Sequence, residues 1–323
     1  MSQSKIVCLD GYTLNPGDLT WAPFEKLGGL DVHDRTSDDR ILDRSHAAPF
    51  LLTNKTPMSS RTLEQLPDLK YIGVLATGYN IVDIEAASQR NIVVTNVPTY
   101  GTDSVAQHAT ALILELSRHI GLHHQAVQDG QWSRCEDWCF ALAPITELTG
   151  KTLGILGLGR IGRTLARIGA AMGMKLVGHD VYWPSAEQFD GLQVEKLDMD
   201  EVFRRSDVIS LHCPLTDETD RLVNAQRLSL MKPTAILVNT SRGPLVDNQA
   251  LADALRAGTI AGAGVDVLDV EPPPADNPLL KAPNCIVTPH IAWYAQAARQ
   301  RIVDTAAENL KAFIDGKPVN KVN

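Results

Sequence analysis

The chain is short of the features that mark membrane, secreted and nucleic-acid-binding proteins. In 323 residues there is no uninterrupted apolar run of the ~20 residues a bilayer span takes. No Lys/Arg block offsets the formal net charge of −8, so neither nucleic acid nor an anionic membrane is an expected partner. A local basic site for a small anion stays compatible with that balance. Five cysteines, Cys8, Cys135, Cys139, Cys213 and Cys285, are an odd and scattered set. They read as reduced thiols of a cytoplasmic protein and not as a disulfide frame. Cys135 and Cys139 lack a second pair. His119, His123 and His124 lack a carboxylate or thiol at ligand spacing, so no metal is expected and these histidines read as a solvated or interface cluster. The first residues, MSQSKIVCLDGY, lead from a polar start into a short strand, unlike a signal peptide. Internal repeats and low-complexity segments are missing too.

What is present is a globular composition, 44% hydrophobic and 21% charged, long enough for two domains. Short apolar runs at 5–9, 51–53, 71–76 and 92–95 alternate with helix-sized segments, predicting a first α/β domain with a mostly parallel sheet. A helix is expected over 103–119, then an irregular loop rich in Trp and Cys over 130–149. Strands recur at 152–157, 175–180, 208–212, 235–239, 264–267 and 286–288, the pattern of a doubly wound sheet. A last helix is expected over 295–314.

The most informative stretch is KTLGILGLGRIGRTLARIGAAMGMKLVGHD, residues 151–180. An apolar strand enters Gly157-Leu158-Gly159-Arg160-Ile161-Gly162, a helix follows, and a second strand closes on Asp180. Gly157 permits a tight turn, Gly159 lets the backbone approach a pyrophosphate, and Gly162 lets helix and strand pack closely. The helix N-terminus then offers N–H groups and a positive dipole end to the phosphates. Asp180, roughly 20 residues on, stands where a carboxylate takes ribose hydroxyls, and no Arg follows directly, which favours NAD over NADP. The bland alternative is a structural βα turn with a strand-end Asp.

Ligands of open parallel sheets collect at the carboxyl ends of the strands. Three such ends carry reactive groups. Arg242, in NTSRG, can clamp a carboxylate or ketone oxygen with its planar fork. His290, in TPHIAW, can give or take a proton near neutrality. Glu271, in GVDVLDVEPP, would orient that ring and stabilise the imidazolium if it reaches it. Taken singly, each is as readily a surface or loop residue.

The combination of GLGRIG with Asp180, NTSRG, GVDVLDVEPP and TPHIAW resembles the D-isomer-specific 2-hydroxyacid dehydrogenases over almost the whole chain. TDSVAQH (102–108), WSRCEDWCF (132–140) and TPHIAW resemble the branch that handles glycerate and hydroxypyruvate. The resemblance implies a fold of two Rossmann-like doubly wound domains with the active site in the cleft between them. The substrate domain would be discontinuous, 1–98 with 292–323, and the NAD-binding domain would be 99–291. It implies NADH-dependent reduction of a small 2-ketoacid, hydroxypyruvate or glyoxylate, by a homodimer. Arg242 would bind the substrate, His290 would donate the proton, with Glu271 its partner, and the amides of Thr77-Gly78 would hold the carboxylate. Thr102, Arg160, Ile161 and Thr219 would lie by the phosphates, Cys213-Pro214 by the adenine, Thr240 and Ser241 along the cofactor, and Asp266 at the nicotinamide amide. Trp138 resembles an aromatic that reaches the neighbouring subunit's substrate pocket, and Trp293 would shape the pocket wall. Gln107 departs from the Glu common at that place. Other readings are a 3-phosphoglycerate dehydrogenase and, from another class, an NADH-sensing corepressor-like binding protein.

Overall fold

A computed structural model describes residues 4–323. Two compact units divide the chain, one made of the residues up to Gly101 together with Trp293–Asn323, the other of Thr102–Ala292. Among the described residues, the first unit holds a five-stranded sheet of β1 (Lys5–Cys8), β2 (Gly29–Val32), β3 (Phe50–Thr53), β4 (Tyr71–Val74) and β5 (Val93–Thr95). Its order is β2-β1-β3-β4-β5 and every pairing is parallel. β3 and β4 are buried throughout, as expected where helices cover both faces of a parallel sheet. Ile302, Val303, Ala306 and Leu310 of the last helix, Gln296–Ile314, pack on one face with Phe50 and Tyr71. The sheet reverses its winding between β1 and β3. There the Asp10 carboxylate accepts the backbone N–H groups of Asn54, Lys55 and Thr56, so the donors that could seat a foreign anion are already satisfied.

In the second unit seven strands run β12-β11-β10-β9-β6-β7-β8. They are β6 (Thr152–Leu156), β7 (Lys175–His179), β8 (Val194–Lys196), β9 (Val208–Leu211), β10 (Ile236–Asn239), β11 (Gly262–Val265) and β12 (Cys285–Val287). All pairings are again parallel. The winding reverses between β6 and β9, whose register sets Leu153 against Val208 and Leu156 against Leu211. The carboxyl ends of strands at such a reversal are the place where doubly wound sheets take ligands.

Several elements differ from expectation. β11 begins two residues earlier than the apolar pattern suggests, because Gly262 and Gly264 lie against the helix Thr102–Arg118. A Cβ on either would stand 3.1 Å from Leu116 or Leu112, so the small residues form the strand. Asp266 and Val267, read as its end, already belong to the loop. The edge strands β2 and β8 and the helix Ile120–Gln128 were not anticipated. His119 joins the two helices in a left-handed turn with φ of 52°. His123 is no loose surface group. Its ring bonds the His119 carbonyl through Nδ1 at 2.7 Å and accepts the Leu142 N–H at Nε2 at 3.0 Å, which clamps the loop that carries Trp138.

Candidate active site

The glycine turn sits at the reversal point. Gly157 has φ of +93°, and a Cβ there would meet the Cys213 backbone nitrogen at 2.5 Å. Only glycine allows both the conformation and the close approach of the loop after β9. A Cβ on Gly162 would come within 2.1 Å of the Gly157 carbonyl oxygen, which is how the helix Arg160–Ala171 closes on its strand. Gly159, by contrast, has no heavy atom within 4 Å of where its Cβ would be. The middle glycine therefore keeps open space above the start of the helix, as a pyrophosphate requires. Asp180 lies half-buried beside the turn. Its Oδ2 accepts the Leu158 N–H at 2.5 Å and its Oδ1 the Tyr182 N–H at 2.9 Å. Each oxygen retains acceptor capacity for a ribose hydroxyl.

From this turn, contacts step along the carboxyl edge of the sheet. The Ser241 hydroxyl donates to the Cys213 carbonyl at 2.7 Å. The buried Asn239 accepts from Ser241 N–H at 3.0 Å and donates to the Arg242 carbonyl at 2.8 Å, so one side chain shapes the whole NTSRG turn. Arg242 is exposed and spends one N–H on the Ser241 carbonyl, presenting the rest of its fork outward. A Cβ on Gly243 would stand 1.9 Å from the Leu268 carbonyl oxygen, which shows how tightly this turn abuts the segment leading to Glu271. Burial pushes the Cys213 thiol up to about 11, so it lines the edge as a neutral group. Thr240 is buried, and its hydroxyl has no hydrogen-bond partner. An orphaned hydroxyl at the end of β10 costs stability unless something binds it. With the open space at Gly159, it shows that the residues present fit a dinucleotide.

Glu271 and His290 meet. The ring Nδ1 lies 2.6 Å from Oε2, and the two side chains are 37% and 35% exposed for His and Glu. The second oxygen, Oε1, takes the Leu268 N–H at 3.1 Å, fixing the carboxylate on its own loop. With Nδ1 engaged, the Nε2 edge is the one that can serve a ligand. His290 itself is held at φ of +54°, a left-handed conformation that costs a non-glycine residue about 1–2 kcal/mol.

The restraint that holds it is Asp266, 1% exposed. Its Oδ1 accepts the Thr288 hydroxyl at 2.6 Å and the Ile291 N–H at 2.9 Å, and its Oδ2 accepts the Ala292 N–H at 2.8 Å. The His290 N–H donates to the Asp266 carbonyl at 2.8 Å. Asp266, expected from the resemblance at the nicotinamide amide, also uses its carboxylate to hold the turn that carries His290. The Thr288 hydroxyl and the Ala292 N–H lie 22 and 26 residues from Asp266 along the chain, so the sequence alone does not join them to it.

Other expected residues lie more loosely. Thr219 closes its own loop, donating to the Pro214 carbonyl at 2.8 Å and accepting the Thr216 N–H at 2.7 Å. Ile161 is half-buried, and Thr102 opens the helix to Arg118. Trp138 is 86% exposed and touches its surroundings through its carbonyl, which accepts the Trp132 indole N–H at 3.0 Å. Gln107 is exposed as well. In the first unit, the Thr77 hydroxyl donates to the Val97 carbonyl at 2.8 Å and the Asn96 amide to the Thr77 carbonyl at 2.7 Å, which secures the Thr77-Gly78 loop. Trp293 packs edge-on to Tyr100 and Tyr294 at 6.1 and 5.3 Å between ring centres. No group of three or more His, Cys, Asp or Glu among the described residues could hold a metal ion, and no helix among them is long and apolar enough to cross a membrane.

Residues 110–292 match the D-isomer specific 2-hydroxyacid dehydrogenase, NAD binding domain. The chain is 49% identical to a hydroxypyruvate reductase of Blautia hydrogenotrophica over 99% of both proteins. It is 43% identical to a glycerate dehydrogenase of Methylorubrum extorquens over 98% of both. Among solved structures, the NAD-complexed D-isomer specific 2-hydroxyacid dehydrogenase of Lactobacillus delbrueckii ssp. bulgaricus superposes with a TM-score of 0.80 at 28% identity, covering 99% of this chain and 100% of that one. The chain belongs to the D-isomer specific 2-hydroxyacid dehydrogenases, NAD-dependent oxidoreductases.

Proposed function

We propose that the protein reduces a small 2-ketoacid, hydroxypyruvate or glyoxylate, to the D-2-hydroxyacid, and runs the reverse reaction when conditions favour it. The observation that carries this reading is the His290–Glu271 pair at 2.6 Å, half-open to solvent at the carboxyl edge of the sheet that holds the glycine turn. NADH, when bound, supplies the hydride that becomes the new C2–H bond. His290 gives the proton: the Nε2–H bond breaks as the carbonyl oxygen takes it up, and the C2–O double bond becomes single. Glu271 holds Nδ1 and offsets the positive charge of the protonated ring before transfer. Arg242 binds the substrate carboxylate and polarises the carbonyl through its exposed fork. On the first unit, the loop at Thr77-Gly78 is assigned to ketoacid binding. Along the cofactor we assign Thr102, Arg160, Ile161, Thr219, Cys213-Pro214, Thr240 and Ser241 as above, with Asp266 at the nicotinamide amide and Asp180 selecting NAD.

Two further assignments accompany this reading. The exposed Ile120, Leu122, Trp132 and Trp138 support a homodimer, with Trp138 serving the neighbouring subunit's pocket. Five free cysteines support a cytoplasmic location. The deciding experiment follows NADH oxidation with a ketoacid panel for the wild type and His290→Ala. Turnover should fall about 10²–10⁴-fold while the NADH Kd, read by fluorescence, stays within about 2-fold. Turnover that survives the substitution refutes the proton-donor role. No oxidation with any ketoacid would favour a cofactor-sensing binding protein.

A further inference from the structure

The turn that carries His290 is gripped from outside by a helix that the reaction scheme does not use. Ser104 and His108 lie one turn apart on the helix Thr102–Arg118, so their side chains share a face. The Ser104 hydroxyl donates to the Ala292 carbonyl at 2.6 Å. His108 Nε2 lies 3.1 Å from the Thr288 hydroxyl oxygen and 3.5 Å from Asp266 Oδ1. The two ends of the turn are thus held by two side chains of a single helix.

The network also fixes which atom donates. The Thr288 hydroxyl has one proton, and at 2.6 Å from Asp266 Oδ1 that proton goes to the carboxylate. The Thr288 oxygen then faces His108 as an acceptor, so Nε2 must carry the hydrogen. The order is His108 Nε2–H to the Thr288 oxygen and Thr288 O–H to Asp266, whose carboxylate also accepts the N–H groups of Ile291 and Ala292, the two residues that follow His290. Asp266 is buried, and a buried carboxylate needs its hydrogen-bond partners held in place. His108 is the ring that the structure places within ion-pair distance of it.

We propose that His108 is a positioning residue for the dehydrogenase reaction, its Nε2–H locking the Thr288–Asp266 pair that holds His290 in its left-handed conformation. This rests on His290 being the proton donor. Losing the lock leaves Arg242 and the glycine turn in place, since His108 bonds Thr288 and borders Asp266 and touches neither of them. The rate of the chemical step falls instead, because the ring is no longer held at the angle proton transfer needs.

The test compares His108→Leu, His108→Gln, Thr288→Val, the Leu/Val double variant and His290→Ala in the full-length protein, each saturated with NADH and the best ketoacid. His108→Leu should lower kcat about 10–100-fold with the ketoacid KM and NADH Kd within about 3-fold of wild type. His108→Gln, which can restore an N–H donor near the same point, should recover most of the lost kcat. Thr288→Val should match His108→Leu, and the double variant should be no slower than either, since both break one chain of bonds. Wild-type kcat in His108→Leu, a Gln variant as slow as Leu, or additive losses in the double variant would each overturn the proposal. Should the Leu variant fail to fold, His108→Gln and Thr288→Val decide it by the same criteria. His290→Ala separates the two readings. Undiminished turnover there defeats the proton-donor assignment itself, whereas an inactive His290→Ala beside a fast His108→Leu defeats only the positioning role.

Discussion

Acidification should unfold this protein partly through one ring. His212 follows β9, with its ring Nε2 2.8 Å from the Ser210 hydroxyl. Its backbone borders the glycine turn, 2.6 Å from where a Cβ on Gly157 would stand. Burial pushes the imidazole down from the ordinary 6.5 to about 4, because the charged ring would lose hydration and no carboxylate offsets it there. The folded chain therefore keeps His212 neutral in a range where the unfolded chain takes up a proton. Its contribution to stability is whole above 6.5 and drains away as pH falls towards 4. Linkage over these two values gives about 2 kcal/mol lost between about pH 7 and pH 5. The residue keeps some surface open to solvent, which trims the expected loss to about 1–2 kcal/mol. The assay is urea unfolding followed by circular dichroism at both pH values, for the wild type and for His212→Gln. The glutamine cannot titrate but can still bond Ser210. Carboxylates held low by partners, such as Asp207 beside Lys232 and the Thr152 N–H, also lose stability as pH falls, and they cancel in the difference between the proteins. The wild type should lose the extra 1–2 kcal/mol as it is acidified. Parallel losses in the two proteins would refute the reasoning.

Further predictions concern the turn and the loop. Gly162→Ala should raise the NADH Kd at least about 10-fold, near 1.4 kcal/mol, and lower Tm as well, because its methyl meets the Gly157 carbonyl at 2.1 Å. Gly159→Ala should weaken NADH binding with little change in Tm, because its methyl meets only open space; calorimetry and fluorescence titration together check the pair, and a large Tm fall for Gly159→Ala would refute it. His123→Ala removes the acceptor of the Leu142 N–H, a bond worth about 1 kcal/mol, and should speed limited proteolysis within 130–145 several-fold. Unchanged cleavage would show that the loop is held by other contacts.

The readable parts of the chain were those where one local pattern does one job. Gly157, Gly159, Gly162 and Asp180 fall within a single strand–turn–helix–strand, so their spacing alone carries the chemistry. Buried parallel strands such as FLLT and YIGV announce themselves because both faces need apolar residues. The edge strands GLDV and VEK, short and partly exposed, have no such demand and were illegible. β11 was displaced because Gly262 and Gly264 look like loop residues until the helix they receive is known. Asp266 was the instructive case. Its place after a strand marks it for a ligand, and its partners Thr288, Ile291 and Ala292 come beside it only after folding. The same holds for His108, whose meaning depends on β12 arriving beside its helix.

The bond from Ser104 to the Ala292 carbonyl joins the opening and the closing turns of the second unit. In the first unit, Tyr100 and Trp293, one on each side of the interruption, are ring neighbours. The second unit is therefore an insertion in the chain of the first, and the residues on either side of the interruption meet within the first unit. Closing such an interruption costs the first unit little loop entropy whatever the insertion's size. Changes of length between these two ends leave the Tyr100–Trp293 contact within the first unit as it is.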